Sequence, residues 1–121
     1  MKKKGLAAAA MLALLLTGCA ARYDGSRIGN ESLLSMEYRI FNGVEQQELS
    51  LKAGDLMQGS VERRKGNLHI KLCRQGEEEA VFEMKNPPSG SFSVEIEEDG
   101  SYILYVEGKE AAGSFRFAKE E

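Results

Sequence analysis

The one histidine in the 121-residue chain, His69, is the only side chain that could serve as an imidazole base for nucleophilic catalysis. It falls in a strand-like run on the polar face beside Lys71, with no Asp or Glu adjoining it in sequence, so a surface role is expected. Cys73 lies between Leu72 and Arg74 in the same run and reads as a half-buried packing residue, not a reactive thiol. Glu95, Glu97 and Asp99 recur at every second residue and would share one face of a strand. Three carboxylates so placed could hold a hard cation such as Ca²⁺, or act as acid and base on a glycan. The simpler expectation is a hydrated outer face opposite Phe92, Val94 and Ile96. Tyr105 and Phe41 fall opposite the apolar faces of their strands and are the aromatic candidates for contact with a sugar or a protein. Trp is absent, which argues against a carbohydrate platform. No His/Cys cluster has zinc spacing and no Gly-rich loop precedes a helix, so neither a metal site nor a cofactor is expected.

The elements that would position these groups are strands. From Ser32 onward apolar residues recur with period two: Leu34, Met36, Tyr38 and Ile40, then Leu49 and Leu51, then Leu68, Ile70 and Leu72. Phe92, Val94 and Ile96 follow, then Tyr102, Leu104 and Val106, then Phe115 and Phe117. Gly59 suggests a bulge or a close backbone approach within a weaker strand. Turns are expected at Ala53-Gly54-Asp55, Lys65-Gly66-Asn67, Glu107-Gly108-Lys109 and, as a tight hairpin, at Glu98-Asp99-Gly100. Asn86-Pro87-Pro88-Ser89-Gly90 must break any ladder, because proline cannot donate to it. About eight short strands with no helix predict an all-β domain, a single antiparallel β-sandwich over residues 32–121.

The N-terminus is of another kind. Lys2, Lys3 and Lys4 precede eleven uninterrupted apolar residues, Leu6 to Leu16, and then Thr17-Gly18-Cys19. A spanning helix needs about 20 apolar residues, so this run has the length of a cleaved signal peptide. Leu16-Thr17-Gly18-Cys19 resembles the lipobox of bacterial lipoprotein precursors. The resemblance implies that diacylglycerol is attached to the Cys19 thiol and that the chain is cut between Gly18 and Cys19. It also implies a palmitate-bearing membrane anchor on the extracytoplasmic face of the cell membrane or an outer membrane. Residues 1–18 are then signal peptide. Residues 19–31, mixing Gly25, Ser26, Gly29 and Asn30 with charges, read as the lipidated cysteine and a flexible tether. With Cys19 acylated, Cys73 is left without an intrachain partner, and the domain depends on its core.

From Gly54 on, "AGDLMQGSVERRKGNLHIKL" and "SGSFSVEIEEDGSYILYVEGKEAAGSFRFA" resemble jelly-roll domains of the pre-peptidase C-terminal and Golgi-dynamics kind. That likeness implies a jelly-roll-like sandwich and no particular activity. From Cys19 on, thirteen cations stand against nineteen acids, a net charge of −6. No basic stripe is available for phosphates, which excludes a nucleic-acid partner, and the overall charge would hold the domain off anionic lipid. The expected function is that of a non-catalytic, membrane-anchored binding or interaction module in the cell envelope. Its partner would be an envelope protein or a cell-wall polymer. The alternative is a small envelope hydrolase or transferase using surface carboxylates such as Glu95 and Glu97.

Overall fold

The computed structural model describes residues 21–120, so the signal segment, Gly18 and Cys19 lie outside the described residues. The described chain is all β: β1 (Arg22–Asn30), β2 (Leu33–Leu51), β3 (Leu56–Arg74), β4 (Ala80–Lys85), β5 (Gly90–Glu95) and β6 (Gly100–Lys119). They form one antiparallel sheet in the order β1-β2-β6-β3-β4, with β5 also paired to β3. In place of about eight short strands, three strands of 19 or 20 residues carry the fold.

Each long strand is folded at its middle. Its inward-facing apolar residues switch from one parity to the other: Leu34, Met36 and Tyr38 to Phe41, Leu49 and Leu51 in β2. β3 switches from Met57 and Val61 to Leu68, Ile70 and Leu72, and β6 from Tyr102, Leu104 and Val106 to Ala111, Phe115 and Phe117. The pairing registers slip at the same places, around Tyr38 to Gly43 and Arg63 to Asn67. A bulge inserts a residue, reverses which face looks inward and bends the strand. The bend brings distant ends together: the Ser50 amide donates to the Glu31 carbonyl at 2.8 Å, although β2 would span about 60 Å if straight. The sheet therefore closes on itself as a sandwich. One layer holds β1, β5, residues 33–41 of β2, 56–63 of β3 and 111–119 of β6; the other holds β4 and the remaining halves.

Buried residues of both layers form one core. Phe82 of β4 and Phe92 of β5 stack at 5.3 Å across the layers, and both rings lie over Phe117 at 6.5 and 6.1 Å. Gly59 is a close approach, as expected: a Cβ there would stand 2.1 Å from the Phe92 ring. Gly113 serves the bend, with φ +147° and a would-be Cβ 1.8 Å from the Glu62 carbonyl oxygen.

Three expectations are corrected. The segment read as a tether, residues 19–31, includes strand β1, paired to β2 from Arg22↔Asn42 to Asn30↔Leu33, so the domain begins near residue 22 and not at 32. An edge strand is secured by its ladder and needs no apolar alternation. Here Tyr23 packs on Phe41 at 5.4 Å, and Arg27 reaches the second layer, pairing with Glu45 at 2.8 Å and donating to the Gln46 carbonyl at 2.7 Å. Second, Lys65-Gly66-Asn67 and Glu107-Gly108-Lys109 are bends within β3 and β6, since both strands keep the same partners on either side. Third, Asp99-Gly100 is no hairpin: β5 pairs with β3 and not with β6, so residues 96–99 cross from one layer to the other.

One core group is anomalous. The Tyr38 hydroxyl is buried with no hydrogen-bond partner, and burial pushes its pKa up to about 12. An unmatched buried hydroxyl costs on the order of 1 kcal/mol, so Tyr38→Phe is expected to raise stability by about that much in urea unfolding. The sign with pH follows from the raised value. The folded state holds this proton more tightly than the unfolded chain, so the associated stability is complete below about pH 10 and is lost as the pH rises through about 12. Tyr38→Phe should flatten that alkaline decline; an unchanged alkaline limb would contradict the assignment.

Candidate functional site

The register sorts the connections into two ends. Arg22, the bends at 41–43, 63–67 and 108–112, and the 86–89 crossing lie at one end, here the bend end. Residues 31–32, 52–55, 75–79 and 96–99 and the last residues of β6 lie at the other, the loop end. Backbone hydrogen bonds knit the loop end: Gly54 to the Ile96 carbonyl at 2.8 Å, Gln75 to that of Ser101 at 2.8 Å and Lys119 to that of Ser32 at 3.0 Å.

A cleft of about 390 Å³ opens there between β4 and β5. Val81, Val94, Ile96 and Tyr102 supply its apolar surface, and Glu77, Glu95, Glu97 and Glu98 its acidic rim. Val81 is 51 % exposed, and Ile96 is buried. Arg74 is the cleft's one cation. It is held by an ion pair with Glu98, a contact of 3.9 Å to Glu77 and a hydrogen bond to the Asp99 carbonyl at 3.0 Å. The Tyr102 hydroxyl donates to the Glu98 carbonyl at 2.6 Å, and burial raises its pKa. Arg74 thus fixes the 96–99 connection while Glu95 and Glu97 remain exposed to solvent.

The structure separates the residues that the sequence grouped. Glu95 closes β5 and Glu97 follows a buried Ile96, so the two carboxylates share a rim and not a strand face. Asp99 is occupied structurally, its Oδ1 accepting from the Ala53 amide at 2.8 Å. Among the described residues no three His, Cys, Asp or Glu side chains converge as a metal site. Adding calcium is therefore expected to leave the melting temperature unchanged; a rise of several degrees would contradict this placement. Phe41 is corrected outright. At 1 % exposure it is a core residue, because the β2 bulge reverses its face, and it cannot contact a ligand. Tyr105 is half-buried on the outer face of the second layer, in a shallow depression with Val44, Lys71 and Cys73.

His69 gains partners that its sequence neighbours did not suggest. Its Nε2 lies 2.6 Å from Glu83 on β4 and its Nδ1 3.9 Å from Glu107 on β6. The hydrogen bond from His69 is the main reason that the Glu83 carboxyl titrates below its usual range. The ring is held between two carboxylates and lines the same depression as Tyr105 and Cys73. Cys73 is free and buried, and burial pushes its thiol pKa up, which suppresses the thiolate.

The loop end is strongly acidic. The acids from Glu77 to Glu79 and from Glu95 to Asp99, with Glu31, Asp55 and Glu120, stand beside Lys52, Arg74 and Lys119, and Lys71 lines a depression with Glu77 and Glu78. Sequence reasoning found the acids but missed Arg74, whose role depends on a connection 24 residues away.

No family model matches the chain, and no curated protein matches it. Among solved structures it is similar to PliG of Aeromonas hydrophila, a periplasmic inhibitor of g-type lysozyme. The TM-score is 0.51 at 17 % identity, covering 86 % of this chain and 93 % of that one. It also matches a CBM4 structure, with TM-score 0.45 at 12 % identity over 88 % of this chain and 83 % of that one. The Drosophila melanogaster CENP-C cupin domain matches at TM-score 0.42 and 10 % identity, over 99 % of each chain. The first of these similarities shows the fold, a β-sandwich of the same architecture.

Proposed function

We propose that the chain is the precursor of a cell-envelope lipoprotein, lipidated at Cys19, whose sandwich is a non-catalytic module that binds a basic protein through the loop-end cleft. The observation that carries the reading is the cleft's composition: Val81 and Val94 offer apolar surface over the buried Ile96 and Tyr102, and four acids rim it, of which Glu98 is paired to Arg74 and Glu95 and Glu97 form no ion pair among the described residues. Such a surface suits a partner segment that buries an apolar or aliphatic stem and ends in lysine or arginine. A hydrolase or transferase would need an acid and a base held toward one bond, whereas Glu95 and Glu97 are both solvent-exposed on the rim. The likeness to a lysozyme inhibitor supplies a first probe, g-type lysozyme.

The test is titration of the full-length protein in detergent micelles with g-type lysozyme, beside a neutral soluble cell-wall glycan as control. Binding that weakens at least tenfold in Glu95→Lys/Glu97→Lys, and persists in Glu95→Gln/Glu97→Gln at reduced strength, is the expected result. Equal affinity in the wild-type and reversed proteins, or turnover of the glycan, would overturn the reading.

A further inference from the structure

The charge that the composition averages to −6 is segregated. At the bend end, Arg22, Arg39, Arg64, Lys65, Lys85 and Lys109 are all exposed. The acids nearby are Asp24, Glu37, Glu45, Glu62, Glu107 and Glu110, and Glu45 is paired to Arg27 at 2.8 Å. Asp24 is paired to Arg39 at 2.8 Å and Glu62 to Arg64 at 2.9 Å. Among the described residues Arg22, Lys65, Lys85 and Lys109 form no ion pair. Lys85 and Lys109 also line an open cleft of about 200 Å³, with Asn67 and Asn86 contributing amide groups and Glu107 one acid. The acidic loop end stands one half-strand away, about 30 Å, and the screening length in physiological salt is about 8 Å. Each end therefore acts on its surroundings with its own sign.

The bend end is also where the described chain begins. Cys19 precedes Arg22 by three residues, so an extended chain places it at most about 11 Å from the start of β1. With residues 22–30 built into the sheet, no long tether separates an N-terminal anchor from the sandwich. We propose that the bend end is a docking surface for anionic phospholipid headgroups, with Arg22, Lys65 and Lys85 as the principal contacts. Its orientation role rests on the reading of Cys19 as the lipidated residue, whereas the charge complementarity does not. Docked this way, the sandwich stands on the membrane and directs its acidic cleft away from it. The expectation that a net −6 domain is held off anionic lipid is replaced by attraction at one end and repulsion at the other.

The experiment uses the full-length protein carrying a fluorophore at the bend end (Lys109→Cys) or at the loop end (Lys52→Cys). Each is studied in phosphatidylcholine vesicles with or without phosphatidylglycerol, and both membranes contain a headgroup quencher. The intact mass reports separately whether Cys19 carries lipid. The expected result is strong quenching at position 109 that depends on phosphatidylglycerol and falls with added salt. Little quenching is expected at position 52, and Arg64→Glu/Lys65→Glu should lower the quenched fraction on the order of tenfold. If the mass shows no lipid, the anchor reading fails. The docking surface is then judged by the same quenching after the unlipidated protein is added to preformed vesicles, where position 109 should still respond to phosphatidylglycerol. Equal quenching at the two positions, or no dependence on phosphatidylglycerol, would overturn the proposal in either case.

Discussion

Phe117→Ala is expected to cost about 3–5 kcal/mol and to leave the domain largely unfolded in mild urea. Phe117 is fully buried, and its ring lies over both Phe82 and Phe92, which come from opposite layers. Removing it deletes the contact on which the sandwich closes beside the cleft, and no neighbouring chain segment can collapse into the space without breaking the Phe82–Phe92 stack. A domain of this size commonly has 5–15 kcal/mol in total, and no disulfide supports this one: Cys73 is free. Urea unfolding of Phe117→Leu beside Phe117→Ala separates lost volume from lost ring stacking; the leucine variant should keep roughly half of the difference. An alanine variant within 1 kcal/mol of wild type would refute this account of the core.

Cys19→Ser is expected to abolish uptake of labelled palmitate and, because the cut before residue 19 follows lipidation, to leave the signal segment in place, so that the lipid anchor is lost entirely. Each buried methylene contributes about 0.8 kcal/mol, and two acyl chains are what make residence stable, since a single chain gives only reversible attachment. Basic residues at the bend end cannot substitute, because their attraction is screened by salt. Uptake of labelled palmitate checks this. A serine variant that still takes up labelled palmitate would show that the anchor is not at Cys19.

Much of the fold was legible because burial has a period. Leu68, Ile70 and Leu72, or Tyr102, Leu104 and Val106, alternate cleanly, and all are buried. The reversal of parity at Val106 to Ala111 is visible too, but Glu107-Gly108-Lys109 reads equally as a chain turn, and the reversal at Tyr38 to Phe41 leaves only Phe41 on the other face. A one-residue insertion and a reversal leave the same local mark, a glycine among polar residues. Only the partners of the strand tell them apart, and pairing between residues 50 or more apart leaves no local trace. Phe41 was placed on the wrong face for that reason. Strand β1 was missed because an edge strand held by a backbone ladder, Tyr23 and Arg27 has no apolar stripe to detect.

The site was legible to a lesser degree. Glu95 and Glu97 were found as acids, and they do line the loop-end cleft. What the sequence could not convey is that Asp99 is tied to Ala53, that Arg74 holds Glu98, and that Val81 faces the same opening from another layer. Composition was the least informative level, since a net charge of −6 hides a basic end and an acidic end.

The central claim is that a membrane-held sandwich presents an acidic cleft to a basic protein. Its most direct test is recruitment of g-type lysozyme to neutral phosphatidylcholine vesicles carrying the full-length protein, read by vesicle flotation. Lysozyme should float with vesicles bearing the wild-type protein and stay behind with vesicles bearing Glu95→Lys/Glu97→Lys. If both proteins float with the vesicles and lysozyme accompanies both equally, or neither, the claim is contradicted.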